Sequence, residues 1–179
     1  MAGVKIEKIT RDIEDFDCGV KSINEYVSEA YYALLAQIAY TYSVVYRDKV
    51  VGFYMIMFGQ VNLGNFPEDV SEHVPFVIKD GKISAVHIKF IAVDRKYQRN
   101  KIGTAIMEIA IQQIRKLSDS WPVRVITIDA RCDLQHWYSS LGFKVMQNNN
   151  PSQEGVTQAM YFDCMRDQSK LLEYEESIT

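Results

Sequence analysis

From Val4 to Ile9 apolar and polar residues alternate with a period of two, the pattern of a strand with one face in a core. After the interruption DFDCG the period lengthens. Val20, Ile23, Val27, Ala30, Leu34 and Ile38 recur at helical spacing and predict a helix over 20–39. Two β-rich runs follow, 41–46 and 50–58, and the short charged link RDK predicts a hairpin. Residues 61–82 carry Gly64, Pro67, Pro75 and Gly81 without a period, which predicts a long irregular insertion of the kind that often carries function. A strand is expected over 83–93 and a helix over 103–117, with Ile106, Ile109, Ala110, Ile114 and Leu117 on its buried face. A strand over 123–129 follows Pro122, and a helix over 133–141 ends at Gly142 as its C-cap. Strands over 143–146 and 157–164 flank the turn-rich QNNNPSQEG, and the polar tail from Arg166 reads as a frayed helix.

Early hairpins followed by a strand–helix–strand–helix–strand passage define the class as α/β (α+β). The expected architecture is a single mixed, mostly antiparallel sheet flanked by helices. No repeat or linker divides the chain, so one domain is expected over 1–165, with a tail over 166–179.

Composition changes this picture only by exclusion. A net charge of -3 and a pI near 5.6 argue against a protein that coats nucleic acid, although a local basic patch can sit inside an acidic total. The N-terminus has no apolar signal segment and the longest apolar run is too short to span a bilayer, so a cytoplasmic location with no membrane contact is expected. Cys18, Cys132 and Cys164 are odd in number and lack ligand spacing; with three scattered histidines, reduced thiols and no metal are expected.

The stretch DRKYQRNKIGTAIM, Asp94 to Met107, runs from a strand into a helix. A helix N-terminus presents unpaired N–H groups and partial positive charge, so such a junction attracts phosphate. Lys96, Arg99 and Lys101 add three cations within six residues, but Gly103 is the only glycine. A basic turn that merely starts a helix accounts for the residues about equally well.

IAVDRKYQRNKIGTAIM resembles motif A of the GCN5-related N-acetyltransferases (GNAT), whose pattern is Q/R-x-x-G-x-G/A. Gln98 and Gly103 match it and Lys101 departs from it. HWYSSLGF, with Trp137, Tyr138, Gly142 and Phe143, is similar to that family's aromatic segment near the C-terminus. Phe16, Cys18, Gly19, Ile23 and Tyr26 resemble an N-terminal element of the branch containing acetyltransferase toxins. The resemblance implies the GNAT fold, acetyl-CoA as co-substrate and no metal. It places the pantetheine on the backbone of Ile91, Ala92 and Val93, and the pyrophosphate on Gln98, Arg99, Asn100, Lys101, Ile102, Gly103 and Thr104. It makes Tyr138 the general acid toward the leaving thiolate.

No general base is evident. A period of two sets Ala85, His87, Lys89, Ile91 and Val93 on one face, which makes His87 a tentative base, with a structural histidine as the other reading. Arg131 stands where many members carry asparagine, facing a phosphate, an acidic acceptor or water. Acceptor specificity in this fold points to Tyr31, Tyr32, Tyr40, Tyr54, Phe66, Phe76 and the acidic PEDVSEH at 67–73.

Three functions follow. The first is transfer of acetyl from acetyl-CoA to a small-molecule or protein amine by direct attack. The second is toxin-like acetylation of aminoacyl-tRNA, with a cognate antitoxin. The third is a non-catalytic acyl-CoA-binding module. A monomer or homodimer is expected in each case.

Overall fold

Arg47 and Asp48 turn the chain between two strands, both in the left-handed region at φ 50° and 59°. Two such residues make the tight turn whose twist matches that of the strands it joins. In the computed structural model, which describes residues 4–67, 81–147, 157–165 and 169–177, this hairpin belongs to one mixed sheet. Its strands are β1 (Val4–Lys8), β2 (Tyr40–Tyr46), β3 (Lys49–Asn62), β4 (Lys82–Val93), β5 (Val125–Arg131), β6 (Lys144–Val145) and β7 (Thr157–Asp163). Among the described residues the order is β1-β2-β3-β4-β5-β7-β6, and only β4 and β5 pair in parallel. The sheet is therefore mixed and mostly antiparallel, as its sequence order implies.

Helices α1 (Lys21–Val27), α2 (Ala30–Leu35), α3 (Ile102–Leu117), α4 (Gln135–Ser140) and α5 (Ser169–Ser177) accompany it. α3 and α4 cover one face, where Ile106, Met107, Ala110, Ile114 and Tyr138 pack on Tyr54, Val86, Ile88, Ile126 and Ile128. α1 and α2 cover the other, where Val27 and Ala30 meet Phe53, Met55 and Ala92. Each fully buried aliphatic side chain contributes about 1.5–3 kcal/mol, so α3 is held chiefly by its apolar stripe.

Several expectations change. The helix expected over 20–39 is two short ones: the Ser28 hydroxyl donates back to the Glu25 carbonyl, and Glu29 leaves helical geometry at φ −110°, ψ 2°. The stripe of α3 is rotated, with Met107 and Ile111 buried instead of Ile109 and Leu117. β3 continues to Asn62, so the irregular segment begins two residues later than its composition suggests. β5 begins and ends two residues beyond the expected 123–129, and β6 is a two-residue remnant of 143–146. α4 ends as expected at Gly142, φ 94°. There Phe143 N–H donates to Tyr138 and Gly142 N–H to Ser139, a Schellman ending. Glu68 to Phe76 and most of QNNNPSQEG lie outside the described residues.

The period of β4 is the most consequential correction. Met55 pairs with Phe90 and Ile56 with Ile88, so Lys89 is an extra residue, a β-bulge. A bulge flips the alternation. Ile91 and Val93 join Val86 and Ile88 beside the α3 core, while Phe90 and Ala92 join the α1–α2 core. His87 and Ile91 therefore do not share a face.

Candidate active site

β4 and β5 separate partway along their length. Their parallel pairing runs from Ala85–Val125 to Ile88–Ile128, whereas β4 keeps its pairing to β3 as far as Val93. Among the described residues no strand pairs with that edge of β4 from Lys89 to Val93, so its alternate backbone N–H and C=O groups have no strand partner there. Ile91, Ala92 and Val93 lie on this edge. The Val93 carbonyl accepts from Gln98 Nε2 at 2.9 Å.

The chain leaves β4 through a 3-10 turn, Arg95–Tyr97, and enters α3. Asp94, buried, caps that turn by accepting from the Lys96 amide at 2.9 Å. Arg99 and Lys101 then take left-handed backbone, φ 63° and 58°. Lys101 thus keeps the conformation a glycine adopts most readily and adds a cation to it. It is the N-cap of α3 and makes no side-chain cap bond, so the amides of Ile102, Gly103 and Thr104 have neither helical partners nor a side-chain cap. Arg95, Lys96, Arg99 and Lys101 on the same turn are all exposed, with Arg95 paired to Asp17 at 3.5 Å. Amides without helical partners, a helix dipole and cations next to an open strand edge fit a pyrophosphate with its pantetheine arm.

Gly103 has negative φ, and a Cβ there would lie 3.7 Å from Trp137 Cζ2 and 3.8 Å from Val93 Cγ2, ordinary contact distances. Neither backbone nor internal packing requires glycine. Gln98, matched to the motif as a phosphate-turn residue, instead spends its side-chain amide on two carbonyls, Val93 and Cys18, each at 2.9 Å.

Tyr138 lies in α4, buried, in edge contact with Trp137 (ring centroids 4.6 Å) and Phe143 (5.9 Å). Trp137 Nε1 donates to Thr104 Oγ1 at 3.2 Å, tying α4 to the first turn of α3. Burial pushes the Tyr138 phenol up to about 12; the nearby Arg131 opposes that rise and Asp133 adds to it. The hydroxyl keeps its proton throughout the neutral range, as an acid must.

His87 sits just before the fork, on the side of the sheet opposite the core that holds Tyr138. Its Nδ1 is 3.0 Å from Thr127 Oγ1, and its Nε2 is 3.6 Å from Asp129 Oδ2. Burial lowers its pKa, Asp129 opposes that and Lys89 adds to it, so the ring is neutral at pH 7. Arg131 pairs with Asp133 through two bonds of 3.0 and 2.8 Å at the end of β5. Tyr54 and Phe66, expected in the acceptor pocket, are core residues, Tyr54 with its hydroxyl on Gln113. Tyr31 is partly buried, and Tyr32 and Tyr40 are exposed.

Sequence reasoning missed Thr127 and Asp129, because their meeting with His87 depends on parallel register. It also missed Asp17, which bonds the DFDCG loop to Asp94 at the head of the donor turn (residues 94–104), and Asn24, which ties that loop to α1. Among the described residues no three His, Cys, Asp or Glu side chains form a metal-ligating group, and no helix is long and apolar enough to cross a membrane.

The family model for the acetyltransferase (GNAT) domain matches residues 71–161, just over half of the 179-residue chain. The chain is 28% identical over 123 residues to a tRNA-acetylating toxin of Mycobacterium tuberculosis (strain ATCC 25618 / H37Rv), covering 68% of this chain and 71% of that protein. Its fold is that of AtaT complexed with acetyl-methionyl-tRNAfMet (TM-score 0.78, 19% identity, 96% of this chain and 98% of that one). It is also that of a tyrosine-to-phenylalanine AtaT mutant bound to acetyl-CoA and the C-terminus of the antitoxin AtaR (TM-score 0.69, 19% identity, 90% and 93% covered). With motif A running from a splayed strand into α3 and a buried tyrosine on α4, the chain belongs to the GNAT acetyltransferase family and is an acetyl-CoA-dependent acetyltransferase.

Proposed function

We propose that this acetyltransferase acts on the amine of an aminoacyl-tRNA and is held in check by a partner antitoxin. The observation that carries this reading is coverage. Likeness to AtaT bound to acetyl-methionyl-tRNAfMet extends over 96% of the chain, past the donor-binding half and into the N-terminal elements. The exposed cations Arg95, Lys96, Arg99 and Lys101 add a local basic edge of the sort that phosphate contacts need. The net charge of -3 favours the second reading, a small-molecule or protein amine as acceptor.

Acetyl-CoA supplies an activated acetyl group on a thiol leaving group. In this reading the open edge of Ile91, Ala92 and Val93 takes the pantetheine, and the turn from Gln98 to Thr104 takes the pyrophosphate, mainly through its amides. Tyr138 holds its proton on the phenolic oxygen and delivers it to the departing sulfur. His87, kept neutral by burial, receives the proton that the acceptor's ammonium must lose before its amine can attack, and Asp129 beside Nε2 offsets the charge that results. Thr127 fixes the ring from the Nδ1 side.

An acetylation assay over a panel of amines, containing aminoacyl-tRNA, polyamines and protein amines, tests the assignment. Preference for aminoacyl-tRNA is expected; turnover confined to polyamines or protein amines would establish the second reading instead.

A further inference from the structure

The DFDCG loop has no part in the chemistry above, yet it is bonded to the donor turn at several points. Arg95 N–H donates to the Asp17 carbonyl at 2.8 Å, and the Asp17 amide donates to the buried Asp94 carboxylate at 3.3 Å. Gln98 Nε2 reaches the Cys18 carbonyl and the end of β4 at once. Gly19 is left-handed at φ 86°, a backbone that glycine adopts most readily, and its Cα side faces the Arg95 guanidinium, which a Cβ would displace.

The loop is itself locked to α1. Asp17 Oδ1 accepts from the Gly19 amide at 2.8 Å and from Asn24 Nδ2 at 2.7 Å. Asn24 Oδ1 accepts from the Cys18 amide at 3.0 Å and from its thiol at 3.1 Å. Burial pushes the Cys18 thiol up, consistent with a hydrogen-bond donor and not a nucleophile. Two residues beyond Asn24, Tyr26 of α1 lies against Phe90, in the part of β4 beyond its pairing with β5, ring centroids 4.4 Å apart.

We infer that Asp17, Asn24 and Gln98 are positioning residues that join α1 to the donor turn as one rigid unit. Donor affinity is therefore set in part by side chains on the α1 side of the sheet. This rests on the reading that the turn from Gln98 to Thr104 binds acetyl-CoA. Gln98 acts through the two carbonyls it bridges.

The test is a double-mutant cycle on the full chain, with acetyl-CoA affinity measured by calorimetry at a temperature where melting curves show every variant folded. Asp17→Ala and Gln98→Met are each expected to weaken binding about fivefold. Together they are expected to cost no more than about tenfold, short of the roughly 25-fold of independent sites. Asp17→Asn, which keeps an acceptor oxygen for Gly19 and Asn24, is expected to stay within about twofold of wild type. Additive losses, or an Asp17→Ala variant that binds like wild type, would overturn the latch while leaving the donor site intact. A wild-type chain that does not bind acetyl-CoA would overturn the donor reading beneath it.

Discussion

Trp137 Nε1 donates to Thr104 Oγ1 across 3.2 Å, and the same indole lies 3.7 Å from where a Cβ on Gly103 would sit. The helix that carries Tyr138 is thereby fastened to the first turn of α3, so donor turn and acid move together.

That arrangement leaves room for a methyl group at Gly103 inside the protein. Gly103→Ala should raise stability by up to about 1 kcal/mol, since alanine is the better helix former. Acetyl-CoA affinity should fall about tenfold if the bare backbone is there for the ligand to approach closely. Melting temperature and calorimetry on the same variant check both. Lowered stability would show that the glycine serves the fold.

Lys101 in left-handed geometry costs on the order of 1 kcal/mol. Lys101→Gly should recover up to about that amount, less the entropy that glycine returns to the unfolded chain. Affinity for acetyl-CoA should lose part of its salt dependence along with the cation. Binding measured at two ionic strengths decides this: an unchanged salt response means that Lys101 points away from the phosphates.

Much of this site can be read from the sequence, and what cannot has a physical cause. Gln98, Gly103 and Tyr138 are recognisable because they lie on short contiguous motifs. Gly142 is legible as a cap because only a left-handed residue ends α4 in this way. The bulge at Lys89 is invisible to a period-two count, since it arises from the pairing of β4 with β3. The same holds for His87, Thr127 and Asp129, which meet through parallel register across 40 residues of chain. Gln98 has a partner 80 positions away in Cys18, so motif matching assigns it to the phosphate and misses the bridge it makes.

His87 gives the account a pH dependence. Its folded pKa lies below the ordinary 6.5 because burial disfavours the charged ring, so the unfolded chain takes up the proton first as the solution is acidified. Stability should therefore decline as pH drops below about 6.5 and be insensitive to this group above it. The acidic limb of kcat should report the same ring. His87→Gln should remove that limb and lower kcat about a hundredfold. A variant that keeps the limb would mean that the amine loses its proton by another path, and that His87 is structural.

Tyr138→Phe is the variant that separates acetyl transfer to aminoacyl-tRNA with Tyr138 as the acid from every other arrangement. The phenol is buried, with its pKa raised to about 12, and its ring packs between Trp137 and Phe143, so removing one oxygen should leave the packing in place. With acetyl-CoA and aminoacyl-tRNA, kcat should fall at least about a hundredfold while acetyl-CoA affinity stays within about twofold of wild type. An unchanged kcat on aminoacyl-tRNA would contradict the account.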